Sequence, residues 1–267
     1  MAEGRAHDPK LDETPKGHMQ QVIQGFRSTK KILAVPEEKD DINKHVPLRK
    51  YHDIYVKINQ VRDTIYTDQT EKFPITSSRG HRYKMILCAI NGKVVLAEPM
   101  KNKSEGEMVE TYQKFIKRLK DTGIFQKKHI LDNKISKGYK EAIEENAITW
   151  ELIPVGMHRR NVAEKTTQTF KGHFKYGICE VSDDFPMNLW ERFIPQAELT
   201  CNLLHHSNVV PKVSAQAYVF GPHNFNRMSL APMGCVVQFH KKTSKRRTWG
   251  VHSVDGWYLQ TSPHHYR

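Results

Sequence analysis

The stretch from Arg82 to Pro99, RYKMILCAINGKVVLAEP, constrains the fold of this chain more than any other segment. Its first half is almost continuously apolar, which is typical of a strand buried on both faces. Asn91-Gly92 then gives a strong hairpin signal, and an apolar, β-branched run follows it. The segment VRDTIYTD at 61–68 reads as a further strand before the pair. The sequence therefore predicts a three-stranded antiparallel meander.

Helical and extended patterns alternate after the meander. A capping box of Ser104 and Glu107 predicts a helix start, and Gly123 predicts its end. The apolar face of this helix consists of Met108, Tyr112, Phe115 and Leu119. Further elements are predicted at 129–131 (strand), 136–146 (helix), 147–154 (strand) and 161–174 (helix). A longer helix should begin at Pro186 with a kink at Pro195, and short strands and turns should follow Pro211.

The resulting order, βββαβαβα, is that of a ribonuclease-H-like α/β fold, in which a mixed five-stranded sheet is flanked by helices. In this topology the first and fourth strands are neighbours. Asp68 ends the first strand, Asp132 ends the fourth, and Glu164 lies on the helix after the fifth. Taken alone, Glu164 could be an ion-pair partner on a solvated basic helix or a metal-bound carboxylate. The two aspartates at matching strand ends favour the metal-bound carboxylate.

Three carboxylates at one point suit magnesium, because hard cations prefer oxygen ligands. Two metal ions about 3.5–4 Å apart activate the attacking oxygen and stabilise the leaving oxygen in phosphoryl transfer. We therefore predict that Asp68, Asp132 and Glu164 are both the catalytic residues and the metal ligands.

The composition points to a polyanionic partner. The formal net charge is +13 and the pI is about 9.5, which favours nucleic acid or an anionic membrane surface. No apolar run approaches the length of a membrane span. The four cysteines form no CxxC pair, which argues against a cysteine zinc site and favours a reducing compartment. The predicted DNA-binding residues are Arg159, Arg160, Gln168 and Lys171 around Glu164, and Lys241, Lys242, Lys245, Arg246 and Arg247 near the C-terminus.

Two tryptophans, Trp249 and Trp257, follow the C-terminal basic run. Basic and aromatic residues together can bind single strands through phosphate contacts and base stacking. The alternative is that both tryptophans form the core of a small β-module and the lysines its solvated loop. We expect the tryptophans to be core residues.

Several segments together resemble a known family. They are HDPKLDETPKGHMQQVIQGFRSTKK, YTDQTEKFPITSSRGHRYKMIL, HILDNKISK, HRRNVAEKTTQTFKGHF, FPMNLWERFIPQAELTCNLL, PKVSAQAYVFGPHNFNRMSLAP and TWGVHSVDGWYLQTSPHHYR. In this order they resemble the integrases of Copia-like LTR retrotransposons, members of the DDE polynucleotidyl transferase group. The resemblance covers almost the whole chain. The polar, charge-mixed composition predicts an N-terminal arm or linker at 1–55, the resemblance implies an integrase catalytic core at 56–206, and the pattern of short strands, turns and basic residues predicts a small β-rich basic region at 207–267.

The resemblance also implies roles for the three acids. Asp68 matches the aspartate of the family's D-x-T-G strand end, Asp132 that of its D-N segment, and Glu164 the glutamate of its A-E-R helix. The implied cofactor is Mg²⁺ or Mn²⁺. Water would attack the ends of the element DNA, and the exposed 3′-hydroxyl would then attack target DNA. The expected partner is double-stranded DNA, both element ends and target, bound by a homo-oligomer in the nucleus, with the cytoplasm as a second compartment.

Three residues depart from the family pattern. Glu71, Lys134 and Lys165 stand where members usually carry glycine, an acid or glycine, and arginine, respectively. Glu71 adds a negative charge near Asp68 and Lys134 adds a positive charge near Asp132, so both should affect metal binding or local pKa values. The family's N-terminal His-His-Cys-Cys zinc module is not present in this sequence. We expect a fragment, a relic or a derivative of a retroelement.

Three functions follow from these observations. The first is a metal-dependent polynucleotidyl transferase that performs DNA integration. The second is a non-catalytic, retroelement-derived DNA-binding protein that keeps the fold and the basic surface. The third is a hydrolytic nuclease of the ribonuclease H type, which would use the same acids on another substrate.

Overall fold

The computed structural model describes residues 63–132, 135–153 and 162–261. The predicted N-terminal arm and the candidate DNA-binding residues Arg159 and Arg160 lie outside them, as does Lys134. The strands of the described part are β1 (Thr64–Gln69), β2 (Tyr83–Ala89), β3 (Val94–Met100), β4 (Lys128–Leu131), β5 (Thr149–Leu152), β6 (Val236–His240) and β7 (Ser253–Trp257). The α-helices are α1 (Glu105–Asp121), α2 (Lys137–Glu145), α3 (Val162–Cys179), α4 (Ile194–Leu204) and α5 (Ala215–Phe220).

The first five strands form one mixed sheet in the order β3-β2-β1-β4-β5. The β1–β2 and β2–β3 pairs are antiparallel, as the meander requires, whereas β4 runs parallel to β1 and β5 runs parallel to β4. The predicted fold class, a mixed five-stranded sheet flanked by helices in the ribonuclease-H-like arrangement, is confirmed.

Helices cover both faces of the sheet. We define the back face as the side covered by α1 and α2, where Tyr112 and Phe115 pack against Met85 and Leu87. The front face is the side covered by α3 and α4, where Phe170 and other aromatic residues pack against Ile86 and Val95. Alternate residues of one strand reach opposite faces. The nearly continuous apolar run of β2 supplies both cores for this reason.

The first helix begins where predicted, but its cap differs from the prediction. Ser104 is the N-cap residue and makes no side-chain cap hydrogen bond. The Glu107 carboxylate instead accepts a hydrogen bond of 2.8 Å from the backbone N–H of Lys101. The capping-box prediction is therefore wrong, although Glu107 still satisfies a backbone donor just before the helix. Gly123 ends the turn after the helix with a positive φ of 77°, as predicted.

The long kinked helix predicted from Pro186 is also different. Residues Met187–Phe193 form a 3₁₀ helix, and α4 starts directly after it. Pro195 lies in the first turn of α4. Proline is tolerated there because the N–H groups of a first turn have no partner within the helix. Pro195 therefore marks a helix start rather than a kink.

Residues 90–93 form the turn of the β2–β3 hairpin. The residue with a positive φ in this turn is Lys93, at 53°, and not Gly92. Gly92 is required for another reason: a Cβ atom there would lie 2.8 Å from Cγ2 of Val219. Val219 belongs to α5, which the sequence did not predict. This short helix packs on the turn and joins the back-face core through Ala215 and Val219.

The outer edge of the sheet, at β3, is closed by side chains of α4. The Asn202 amide accepts a hydrogen bond from the N–H of Val95 and donates one to its carbonyl oxygen, both at 2.8 Å. The buried Glu198 carboxylate accepts a hydrogen bond of 2.9 Å from the N–H of Ala97. Arg118 of α1 forms an ion pair with Glu198.

The strands β6 and β7 form a two-stranded antiparallel hairpin in the described part of the chain after residue 235. Trp257 contacts Phe185 of the front-face core edge-on, with ring centroids 5.9 Å apart. Leu259 packs on the same core. None of the described helices is long and apolar enough to cross a membrane.

Candidate active site and nucleic-acid interface

Two of the three predicted acids stand at the same end of neighbouring strands. The β1–β4 ladder pairs Thr64 with Lys128 and Tyr66 with Ile130. Continuing this register by two residues brings Asp68 opposite Asp132. Adjacent strands lie about 4.8 Å apart, so the two backbones are close at this point. Asp68 lies in β1, and Asp132 directly follows β4 and is exposed.

Both aspartates belong to the front face. Tyr66 of β1 and Ile130 of β4 pack in one small front-face cluster with Cys88 and Ala163. Side chains two residues apart on a strand share a face. Asp68 and Asp132 therefore project toward the side that α3 covers.

The third acid, Glu164, lies in the first turn of α3 and is exposed. Its neighbour Ala163 is fully buried against Tyr66 and Cys88, which fixes the start of the helix over the sheet. A first helical turn favours a carboxylate because backbone N–H groups point toward it. The fold therefore puts Glu164 on the helix that covers the face carrying the two aspartates.

The donor atoms at this place are of the type that a hard divalent cation prefers. The described residues nevertheless contain no group of three His, Cys, Asp or Glu side chains arranged to hold a metal ion. One carboxylate oxygen of Asp68 accepts a hydrogen bond of 2.8 Å from the N–H of Gln69. The three acids fit a metal by residue type and by their placement on one face. Ligation by all three would require the side chains to close around the ion.

Two further candidates follow Glu164 along α3. Gln168 is exposed. Lys171 is not a free cation, because its ammonium group forms an ion pair with the carboxylate of Glu71. The hydrogen bond from Lys171 lowers the pKa of Glu71, and the positive charges of Lys171 and Lys103 act in the same direction. Glu71, which departs from the family pattern, is therefore the ion-pair partner of Lys171, the residue predicted to contact a phosphate.

A lysine that the sequence analysis did not single out lies nearby. The side chain of Lys84, at the entrance to β2, is enclosed by three aromatic rings. Its Nζ atom lies 4.2 Å from the ring centroid of Phe73, 4.4 Å from that of Phe174 and 4.3 Å from that of Trp190. Burial lowers its pKa to about 7, and the charge of Lys171 acts in the same direction. The ring faces favour the charged form and oppose this shift.

The loop between β1 and β2 is held against the 3₁₀ helix by another missed residue, Glu191. Its buried carboxylate accepts a hydrogen bond of 2.7 Å from the Ser77 hydroxyl and contacts His81 and Arg79. Burial opposes its ionisation, but the hydrogen bonds from His81 and Ser77 outweigh burial and lower its pKa. A sequence signal was available, because Glu191 is the only acid in the aromatic segment FPMNLWERFIP. These contacts with Glu191 therefore fix the part of the β1–β2 loop that lies farther along the chain from Asp68.

The C-terminal candidates lie in the connection between β6 and β7. All five cations belong to residues 241–247, and none of them has a carboxylate partner among the described residues. Arg246 approaches His240, with 3.4 Å between Nη1 and Nε2. The expectation that both tryptophans are core residues is wrong for Trp249, which is 99% exposed. Trp257 is 39% exposed and contacts the core through Phe185.

No family model and no curated protein matches this chain. Among solved structures, the chain is similar to the simian T-cell lymphotropic virus intasome in complex with PP2A regulatory subunit B56 gamma. That likeness has 14% identity and a TM-score of 0.47, and covers 75% of this chain and 71% of that one. The catalytic core domain of BIV integrase is similar at 12% identity and a TM-score of 0.44, over 59% of this chain and 93% of that one. Neither likeness assigns a role to a residue.

Proposed function

We propose that this chain is a metal-dependent DNA integrase of the Copia-like type, a polynucleotidyl transferase that processes 3′ ends and joins them to target DNA. One observation carries the proposal: the register of β1 and β4 brings Asp68 opposite Asp132, on the sheet face covered by the helix that carries Glu164 in its first turn. Carboxylates repel one another, so a fold gathers them on one face at a cost unless a cation is bound there.

In this proposal Asp68, Asp132 and Glu164 would hold Mg²⁺ or Mn²⁺. The chemistry that such an ion would supply is activation of an attacking oxygen and stabilisation of the leaving oxygen of a phosphodiester. The protein positions the DNA. Helix α3 carries Gln168 and Lys171 on the same side as Glu164, where both can contact the DNA backbone. The cations at 241–247 contact further phosphates and make binding dependent on salt. The partner is double-stranded DNA, bound by a homo-oligomer in the nucleus.

A cleavage assay tests this function. The wild-type chain is incubated with short DNA duplexes carrying candidate element ends, in Mg²⁺ or Mn²⁺, and with an RNA–DNA hybrid in parallel. We expect metal-dependent nicking near a 3′ end, followed by joining to a second duplex, with Asp68→Asn and Asp132→Asn at background. Cleavage of the hybrid alone would indicate a nuclease of the ribonuclease H type. No metal-dependent cleavage of any substrate would refute the enzymatic assignment.

The basic hairpin supports a second candidate, a non-catalytic DNA-binding protein. Its five cations have no carboxylate partner in the described residues, and they belong to a different part of the fold from the acids. This function predicts that the triple variant Asp68→Asn, Asp132→Asn, Glu164→Gln binds DNA at least as tightly as the wild type, while neither protein cleaves it. Cleavage by the wild type would reject this candidate.

A further inference from the structure

Two further lysines lie near the ion pair of Glu71 and Lys171 and form a cluster with it: Lys103 lies near Glu71, and Lys84 lies near Lys171. Glu71 follows β1, and its carboxylate forms an ion pair with Lys171 of α3. Lys103 is close enough to lower the pKa of Glu71 through its charge. The Glu71 side chain is 83% exposed, whereas that of Lys171 is only 30% exposed. The carboxylate therefore approaches a partly enclosed ammonium group from the solvent side.

Lys84 adds a second, deeper amine to this cluster. Lys171 is near enough to lower the pKa of Lys84, and Lys84 is held by the faces of Phe73, Phe174 and Trp190. Lys84 is also tied to the segment that carries Glu71, because the N–H of Lys84 donates to the Thr70 hydroxyl at 3.0 Å. Lys84 is only 5% exposed, so an anion reaches this cluster at the ammonium group of Lys171 and not at Lys84.

We propose that Lys171 is a phosphate-binding residue whose ligand position is occupied, in the free protein, by the carboxylate of Glu71. A carboxylate and a phosphodiester accept the same charge-assisted hydrogen bonds from an ammonium group, each through two oxygens that share one negative charge. An exposed ion pair is weak, so a phosphate of a bound strand can displace Glu71. The inference rests on the proposed function in one respect: the phosphate is taken to be a phosphodiester of DNA. Glu71 then acts as an intramolecular competitor that restrains DNA binding beside the three acids.

The test compares two variants that remove the same charge. Glu71→Gln keeps the size of the side chain and removes the competitor. Glu110→Gln is the matched control, because Glu110 forms an exposed ion pair of 2.7 Å with Lys114 on α1, behind the sheet. Binding of the full chain to a short DNA duplex is measured by fluorescence anisotropy over a range of salt concentrations. We expect Glu71→Gln to bind more tightly than Glu110→Gln and to steepen the salt slope by about 0.9, the value for one more neutralised phosphate.

A double variant identifies the amine that gains the phosphate. In the Lys171→Gln background, the Glu71→Gln substitution should bring no tightening beyond that of Glu110→Gln. Equal behaviour of Glu71→Gln and Glu110→Gln in the wild-type background would overturn the proposal. So would tightening by Glu71→Gln that persists without Lys171, because it would then reflect net charge alone.

Inorganic phosphate separates this proposal from the proposed function. A ligand that binds the folded state raises the melting temperature. Phosphate should therefore stabilise Glu71→Gln more than Glu110→Gln, and Lys171→Gln should abolish the difference. If phosphate stabilises the variants in this way while no variant binds DNA, the phosphate-binding site is supported and the proposed DNA-directed function is refuted. If DNA binds but neither phosphate nor DNA distinguishes Glu71→Gln from Glu110→Gln, the phosphate-binding site is refuted and the DNA-directed function is untouched.

Discussion

The back face of the central sheet encloses its titratable groups, whereas the front face leaves two of the three candidate acids, Asp132 and Glu164, exposed. On the back face, His129, Tyr112 and Tyr139 are almost completely enclosed, and burial lowers the pKa of His129 to about 3 and raises the pKa values of both tyrosine hydroxyls. On the front face, the acid Glu164 is exposed, and Lys84 is held in an aromatic enclosure. The same strands supply both faces, because neighbouring residues point in opposite directions.

The difference indicates how the fold divides its tasks. The back face keeps its titratable groups neutral and packed, so substitutions there should change the free energy of unfolding. The front face has its own buried core but carries its candidate acids near the strand ends, so substitutions of those acids should change binding or catalysis with little effect on folding. Each prediction below tests this division, from the largest expected effect on folding to the smallest.

The largest effect should come from the back-face core. Phe115 is fully buried in α1, and Phe115→Ala should lower the free energy of unfolding by about 3–5 kcal/mol, because the cavity is only partly refilled. Urea unfolding followed by circular dichroism measures this decrease. Phe125, 67% exposed, gives the control, and Phe125→Ala should change stability by less than about 0.5 kcal/mol. Similar decreases for both variants would contradict the assignment of the back-face core.

The second effect concerns pH. The pKa of His129 is about 3 in the folded chain, against an ordinary value of 6.5. Between these values the unfolded chain binds a proton at His129 and the folded chain does not, so the free energy of unfolding falls as pH falls. The slope for one proton is about 1.4 kcal/mol per pH unit. His129→Phe should show a shallower decrease over this window in urea titrations, and parallel curves for both proteins would reject the buried neutral histidine.

Glu164 should show a smaller effect on folding and a large one on metal binding. Glu164→Gln should change the free energy of unfolding by at most about 1 kcal/mol, because the side chain is exposed. If Glu164 is a ligand, Mn²⁺ should raise the melting temperature of the wild type more than that of the variant, through preferential binding to the folded state. Equal increases of the melting temperature in the wild type and the variant would indicate that Glu164 is a surface residue of the basic helix and not a metal ligand. Glu110→Gln controls for the removal of one surface charge.

The hairpin should show the smallest effect on folding. Lys241, Lys242, Lys245, Arg246 and Arg247 have no ion-pair partners among the described residues, so replacing all five with alanine removes no such pair. The slope of log affinity for duplex DNA against log salt should become flatter by about 0.9 for each phosphate that the variant no longer neutralises. An unchanged slope would remove the hairpin from the DNA-binding surface.

Much of the fold could be predicted because it depends on local patterns. The buried positions Met108, Tyr112, Phe115 and Leu119 follow from helical spacing, and the meander follows from an apolar run interrupted by Asn91-Gly92. The alignment of two acids at neighbouring strand ends follows from the order of the elements. These features require only the periodicity of the chain and the topology that it indicates.

The remaining features depend on contacts between distant residues. The ion pair of Lys171 joins residues 100 positions apart, and no local pattern indicates that Glu71 occupies it. Trp249 follows a basic run that is typical of a solvated loop, yet its own hydrophobicity suggested a core position. The carboxylate of Glu107 could satisfy two different backbone donors, and the chain path before α1 decided between them. Such choices depend on the tertiary structure and not on residue preference.

The side chains that close β3 have a consequence for assembly. An open edge strand offers unpaired N–H and carbonyl groups to any other strand, and this is how sheets join between molecules. At β3 the groups of Val95 and the N–H of Ala97 are already bonded to Asn202 and Glu198. A second copy therefore cannot extend the sheet from β3 without breaking these bonds, and any oligomer of this chain must join through another surface. The same two side chains also protect this edge of the sheet against aggregation into fibrils by strand addition.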